Sequence, residues 1–177
     1  MEEKVNVWKA NLTNGLILAL EGIVFSLLLY FFDLTFNKTV GYINIPIQLA
    51  LLYFLLKSYR DNYMHGQITF GQSVGAGVVM FLYVAVIMAV YTFILWGVID
   101  PGLVKKSLAM AEEAMVKKGA PQAAIDTGMA FTAKIMKPGI ISISSIFMNM
   151  IWGTVISLVV SVFVKKEGNP LLDTVEN

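Results

Sequence analysis

Four long apolar stretches dominate the chain, and most charged residues fall between them. The stretches cover residues 12–32, 39–56, 73–99 and 139–164, and Glu21 is the one charged residue inside them. A helix needs about 20 residues to cross a hydrocarbon core about 30 Å thick. Because lipid offers no hydrogen-bond partners, backbone groups must be paired within each segment, which favours helices. The pattern therefore predicts an all-α fold, a four-helix transmembrane bundle.

The segment 101–137, between the third and fourth stretches, has an amphipathic pattern instead. Two helical runs are separated by Gly119-Ala120-Pro121, which stops one helix and lets another begin. Glu113 lies one turn before Lys117 and can pair with it. The apolar positions are Val104, Leu108, Ala111 and Met115 in the first run, and Ile125, Met129, Thr132 and Met136 in the second. We expect a helical hairpin that lies against the mouth of the bundle or in the membrane interface. Its methionine-containing stripe could bind a partner, but packing on the protein's own membrane domain is the favoured interpretation.

Composition agrees with a membrane protein and excludes several other classes. Hydrophobic residues make up 57% of the chain and charged residues 14%, whereas about a quarter of a soluble domain is charged. A net charge of +1 gives no field that would attract nucleic acid, so no nucleic-acid partner is expected. With no cysteine and a single histidine, His65, we expect no cofactor and no metal site. One domain over residues 1–177 is expected.

Glu21 is the leading candidate for a functional residue. An ionised carboxylate is costly in the bilayer, so the group should face the bundle interior or take up a proton. Asn14 lies seven residues earlier on nearly the same helical face, and Asn149 of the fourth stretch could extend a polar path. Two interpretations stay open. The favoured one is a packing role, because the other stretches supply no ionisable partner, and the alternative is a proton or ion pathway.

Small and polar residues recur every four positions along the fourth stretch. They form one ridge of Ser145, Asn149, Gly153, Ser157 and Ser161. Such ridges let helices approach closely and form hydrogen bonds in lipid. Shorter steps of the same kind include Gly15 and Gly22 in the first stretch, and Gly71 and Gly75 at the start of the third. We predict that these residues pack helices together. A pore lining is the alternative for the serine ridge.

The function expected from the residues is a non-enzymatic structural or accessory role. The chain contains no nucleophile elbow, no phosphate-binding glycine loop and no dinucleotide fingerprint. A small transporter or channel that uses Glu21 is the alternative. Expected partners are the lipid bilayer and either a second copy or another membrane protein. Basic residues are divided almost equally between the two sides, and the first span favours both termini in the cytoplasm.

The string YMHGQITFGQ, from Tyr63 to Gln72, leads into the third stretch. Together with the order of spans, Lys137-Pro138-Gly139 after the hairpin and Lys165-Lys166 after the fourth stretch, it resembles a family of small four-span membrane proteins. That family, typical of Bacteroidota, is family 4199 of the domains of unknown function. The resemblance covers nearly the whole chain. It implies a location in the bacterial inner membrane and supplies no catalytic residues.

Overall fold

The structure is a computed structural model, and it describes residues 6–167. Over this range the chain is all-α, as predicted, with helices α1 (Val7–Phe31), α2 (Lys38–Gly41), α3 (Asn44–Tyr63), α4 (Phe70–Ile94), α5 (Gly102–Lys117), α6 (Gln122–Ile135) and α7 (Pro138–Val164). A π-helix, Leu95–Ile99, prolongs α4. The predicted fold class is confirmed.

Within residues 6–167, four helices are long and apolar enough to cross a membrane: Val7–Phe31, Lys38–Tyr63, Phe70–Ile99 and Pro138–Val164. The first begins before its apolar stretch because Asn6 caps it. The Asn6 side chain accepts hydrogen bonds from the backbone N–H groups of Trp8 at 3.0 Å and Lys9 at 3.2 Å. Each candidate span exceeds the length that a bilayer requires.

The described chain divides into two compact units. The first runs up to Ala85 and resumes at Asn149, and the second is Val86–Met148. The sequence predicts a single domain. The second unit is distinguished because the hairpin and the adjoining ends of α4 and α7 make most of their contacts among themselves, and the single domain stays a prediction.

The first unit packs α1, α3, the beginning of α4 and the end of α7 around an apolar core. Leu18, Leu52 and Phe81 are almost fully buried there. At one end of this unit, the loop after α3 pairs with the end of α7. The backbone N–H of Ile68 donates to the carbonyl oxygen of Lys166, and that of Lys166 to Ile68, both at 2.9 Å. These two hydrogen bonds join the loop before α4 to the residues that follow α7.

The second unit contains the predicted hairpin. Ile125 of α6 is buried, and a Cβ atom added to Gly128 would lie 2.7 Å from the Cε atom of Met115, so the two apolar stripes face each other. The predicted ion pair forms, with the Lys117 ammonium 2.6 Å from the Glu113 carboxylate. This hydrogen bond lowers the pKa of Glu113. Two short helices between the third and fourth spans are thus confirmed.

Candidate functional site

Glu21 lies in the middle of α1 and faces α3. Both of its carboxylate oxygens are buried, and neither accepts a hydrogen bond from any residue that the structure describes. The Gln48 side chain of α3 is a polar neighbour of this carboxyl group, although the geometry between them falls short of a hydrogen bond. Gln48 Oε1 in turn accepts a hydrogen bond from Trp152 Nε1 of α7 at 3.3 Å. We call Glu21, Gln48 and Trp152 the polar cluster.

The polar cluster connects three helices through one amide group. The oxygen of the Gln48 amide accepts from Trp152, and its N–H₂ group can donate toward Glu21. A protonated Glu21 can accept such a bond through its carbonyl oxygen without placing a charge in the membrane. The arrangement can therefore link α1, α3 and α7 with neutral groups.

A groove of about 390 Å³ runs along the outside of the contact between α1 and α3. Apart from Glu21, its lining residues are apolar, among them Leu20, Leu28 and Ile47. The carboxylate oxygens of Glu21 are themselves buried, so the wall of the groove is formed by hydrocarbon. Glu21 thus contributes to the lining of this groove, while its two carboxylate oxygens are turned away from it.

Asn14 does not join Glu21. Its amide donates to Asn11 Oδ1 at 3.3 Å, and the fully buried Asn11 donates to the carbonyl oxygen of Val7 at 2.9 Å. The Asn11 side chain is also a polar neighbour of Tyr59 on α3. The predicted polar path through Asn14 and Glu21 is therefore replaced by two separate polar contacts between α1 and α3, one at Asn11 and one at Glu21. Asn149 lies three residues before Trp152 on α7, half-buried, and donates no hydrogen bond to Glu21.

The ridge of the fourth span lies partly against α4. Gly153, Ser157 and Ser161 are buried. A Cβ atom added to Gly153 would overlap the ring of Phe81. One added to Gly77 would overlap the Ser157 side chain and lie 3.6 Å from the Ser157 Cα atom. The backbones of α4 and α7 therefore approach closely. The remaining ridge members, Ser145 and Asn149, are half-buried.

The prediction that Gly71 and Gly75 of α4 pack helices together requires a correction. Gly71 and Gly75 are exposed, and a Cβ atom added to either would meet nothing within 4 Å, so among residues 6–167 they pack against no other helix. The close approach uses Gly77, two residues further on, because Gly77 and Phe81 form the face of α4 that meets α7. On α1, Gly15 and Gly22 are both buried, and a Cβ atom on Gly15 would lie 2.7 Å from that of Tyr83.

The string that carries the family resemblance builds the turn between α3 and α4. His65 and Gly66 adopt left-handed backbone conformations, with φ of 52° and 79°. Thr69 and Gln72 then form a reciprocal cap: Gln72 Oε1 accepts from the Thr69 backbone N–H at 3.0 Å, and Thr69 Oγ1 from the Gln72 backbone N–H at 3.3 Å. The roles of these residues in the structure are local and conformational. Within residues 6–167, no group of three or more His, Asp or Glu side chains could hold a metal ion.

Sequence reasoning missed two members of the polar cluster, Gln48 and Trp152. Gln48 carried a usable signal, because it is the one glutamine in the second apolar stretch, and an amide in a span usually finds a polar partner. The prediction considered the amides of Asn14 and Asn149 as companions of Glu21 and did not consider the second stretch, which has no charged residue. Trp152 gave no comparable signal, since its hydrogen bond depends on the register between α3 and α7.

The chain belongs to the family described as Protein of unknown function (DUF4199), whose profile matches residues 13–166. The family resemblance predicted from the string between Tyr63 and Gln72 is thereby confirmed. No curated protein and no solved structure matches the chain.

Proposed function

We propose that this member of the family is a non-enzymatic membrane protein with a structural or accessory role, and that its polar cluster serves to hold the spans together. One observation carries this proposal. The carboxyl group of Glu21 is buried against Gln48, which is hydrogen-bonded to Trp152, and neither of these two neighbours ionises. Such a chain of neutral groups links helices, whereas a proton relay usually passes through several ionisable side chains.

The physical role of Glu21 in this proposal is that of a neutral acid. Transfer of an ionised carboxylate into an apolar environment is so unfavourable that the group takes up a proton instead. The neutral acid still gains from a polar neighbour, although hydrogen bonds between spans contribute only about 0.6 kcal/mol on average. Glu21 would then select which helices meet and in what register, while adding little to the total stability.

A small transporter or channel is the second candidate. It is favoured by the two Glu21 oxygens, which are buried without a hydrogen-bond partner among the described residues and are therefore available to a proton or a cation. In this alternative, the polar cluster would lie along the path of the ion. The structural role is favoured by the groove between α1 and α3, because its lining residues other than Glu21 are apolar and offer an ion no ligands.

The decisive experiment uses Glu21→Gln in liposomes. Glutamine keeps the shape of a protonated glutamic acid but cannot ionise. The structural role therefore predicts that Glu21→Gln folds, keeps its thermal unfolding midpoint, and shows the same proton and potassium flux as wild type, at the level of empty liposomes. Glu113→Gln is the matched control, because Glu113 is an exposed carboxylate outside the spans. Flux that is present in wild type and in Glu113→Gln but lost in a stable Glu21→Gln would establish the transporter instead.

We propose further that the protein resides in a bacterial inner membrane with both termini in the cytoplasm, in contact with lipid and with a second copy or another membrane protein. The family resemblance and the lysines before the first span support this location. Single cysteines test it, because the chain has none of its own. Cysteines at Lys38 and Gly119 should react with an impermeant reagent from the periplasmic side, and those at Arg60 and Glu167 from the cytoplasmic side. Labelling of Lys38 and Arg60 from the same side would contradict the second span.

A further inference from the structure

Helix α6 has a wider apolar surface than its contact with α5 can cover. Ile125 is 4% exposed on the side that packs on α5. On the adjoining side, Phe131 is 64% exposed and Ile135 is 41% exposed. Ala124, which precedes them by two and three helical turns, is exposed as well. We call Ala124, Phe131 and Ile135 the outer stripe of α6.

The chain holds α6 close to the start of the fourth span. Only Met136 and Lys137 separate the end of α6 at Ile135 from Pro138, the first residue of α7. At 3.8 Å between consecutive Cα atoms, this connection spans at most about 11 Å. The third span ends nearby, because a Cβ atom added to Gly97 would lie 3.2 Å from that of Pro138. The last turn of α6 is therefore restrained to the zone where the spans leave the hydrocarbon.

The surroundings of the outer stripe match the chemistry of a bilayer surface. Lys134 and Lys137 are exposed beside its end, where their ammonium groups can reach lipid phosphates. The exposed apolar side chains of Ile143 and Phe147 follow on the same unit, in the segment of α7 that enters the membrane. A helix with one apolar face and flanking lysines binds in the plane of the interface, with its apolar face about 5–10 Å deep.

We propose that α6 lies along the membrane surface and that its outer stripe inserts between lipids at the boundary of the headgroups and acyl chains. The proposal requires that the four spans cross a membrane and is independent of the role of Glu21. It also differs from an upright hairpin. In an upright hairpin, α6 would rise about 1.5 Å per residue, which would leave Ala124 about 16 Å further from the membrane than Ile135.

Two alanines of α6 provide a matched pair for the test. Ala124 and Ala133 are both small and exposed, and they lie on opposite faces of the helix, nine residues apart. Each is replaced by cysteine in the full chain, which has no other cysteine, together with Phe131→Cys. Each variant is spin-labelled in liposomes of phosphatidylethanolamine and phosphatidylglycerol. Collision rates with oxygen, which concentrates in lipid, are compared with those of a water-soluble nickel chelate.

The proposal predicts that oxygen collisions exceed nickel collisions at Ala124→Cys and Phe131→Cys, and that the ratio is reversed at Ala133→Cys. Because both alanine sites are exposed, these two variants should keep the unfolding midpoint of the parent chain, and they carry the comparison even if Phe131→Cys folds poorly. A label at Ala124 that collides mainly with nickel would overturn the proposal in favour of an upright hairpin. Low rates with both reagents at Ala124 and Phe131 would also overturn it, since they would indicate a protein partner on the outer stripe.

Discussion

The contact between α4 and α7 brings two backbones together, whereas the contact between α1 and α3 is made by larger polar side chains and leaves a groove on its outer side. At the first contact, Gly153 accommodates the ring of Phe81, and Gly77 accommodates Ser157. At the second, Glu21 meets Gln48, and Asn11 meets Tyr59. Both contacts lie in the first unit and join candidate spans.

The difference shows two ways to hold helices together in lipid. Apolar side chains gain little by leaving lipid for the protein interior, so the usual hydrophobic driving force is weak. Small residues at the contact of α4 and α7 allow extensive van der Waals contact. In the proposed structural role, polar residues at the contact of α1 and α3 set the register even where packing leaves a groove. The first contact should therefore contribute more stability, and the second more specificity.

The largest expected effect comes from Gly153→Leu. The leucine side chain would occupy the position of the Phe81 ring and force α7 away from α4. We expect the free energy of unfolding to fall by about 3 kcal/mol or more, measured by thermal unfolding in detergent. Val155→Leu is the matched control, because Val155 is 47% exposed on the same helix. Equal midpoints for the two variants would place the ridge toward lipid and remove the basis of the comparison.

Breaking the polar cluster should have a smaller effect. Glu21→Leu leaves the Gln48 amide without its neighbour, and we expect a loss of about 1 kcal/mol. The double variant Glu21→Leu with Gln48→Leu should lose less than the sum of the two single variants, because both polar partners are then removed together. A double-mutant cycle by thermal unfolding measures this coupling. Strictly additive losses would mean that Glu21 and Gln48 do not interact.

A hydroxyl group at the close contact should reduce stability. Ser157 Oγ is buried, and it has no hydrogen-bond partner among residues 6–167. Because an unpaired buried hydroxyl is unfavourable, we expect Ser157→Ala to raise the free energy of unfolding by up to about 1 kcal/mol. Ser145→Ala is the control and should lower it slightly, since Ser145 Oγ donates to the carbonyl oxygen of Ser142 at 2.7 Å. Destabilisation by Ser157→Ala would reveal a polar partner, such as a bound water.

The sequence predicts the spans and the hairpin well, because both depend on local composition and helical spacing. Residue 21 also stands out by its charge alone. The partners of each residue depend instead on the register between helices, which composition does not determine. The prediction for α4 selected Gly71 and Gly75 by their four-residue spacing, although Gly77 and Phe81 have the same spacing and form the contact. For the same reason, the sequence pairs Glu21 with Asn14 of its own helix and misses Gln48 of the next.

The smallest expected effect concerns this choice of glycine, and it tests the register directly. Gly75→Ala adds a methyl group that meets nothing within 4 Å, so it should not destabilise the fold. The free energy of unfolding should instead rise by about 0.5 kcal/mol, because alanine is more favourable than glycine in a helix interior. Gly77→Ala is the contrasting variant and should be destabilising by about 1–3 kcal/mol, because its methyl group overlaps the Ser157 side chain. A loss at Gly75 as large as that at Gly77 would show that α7 meets a different face of α4. The mass of the detergent-solubilised protein should be measured in parallel. If Gly75→Ala changed the mass without a loss of stability, Gly71 and Gly75 would be assigned to a contact with a second copy. The close packing of α4 with α7 would not be contradicted by that result.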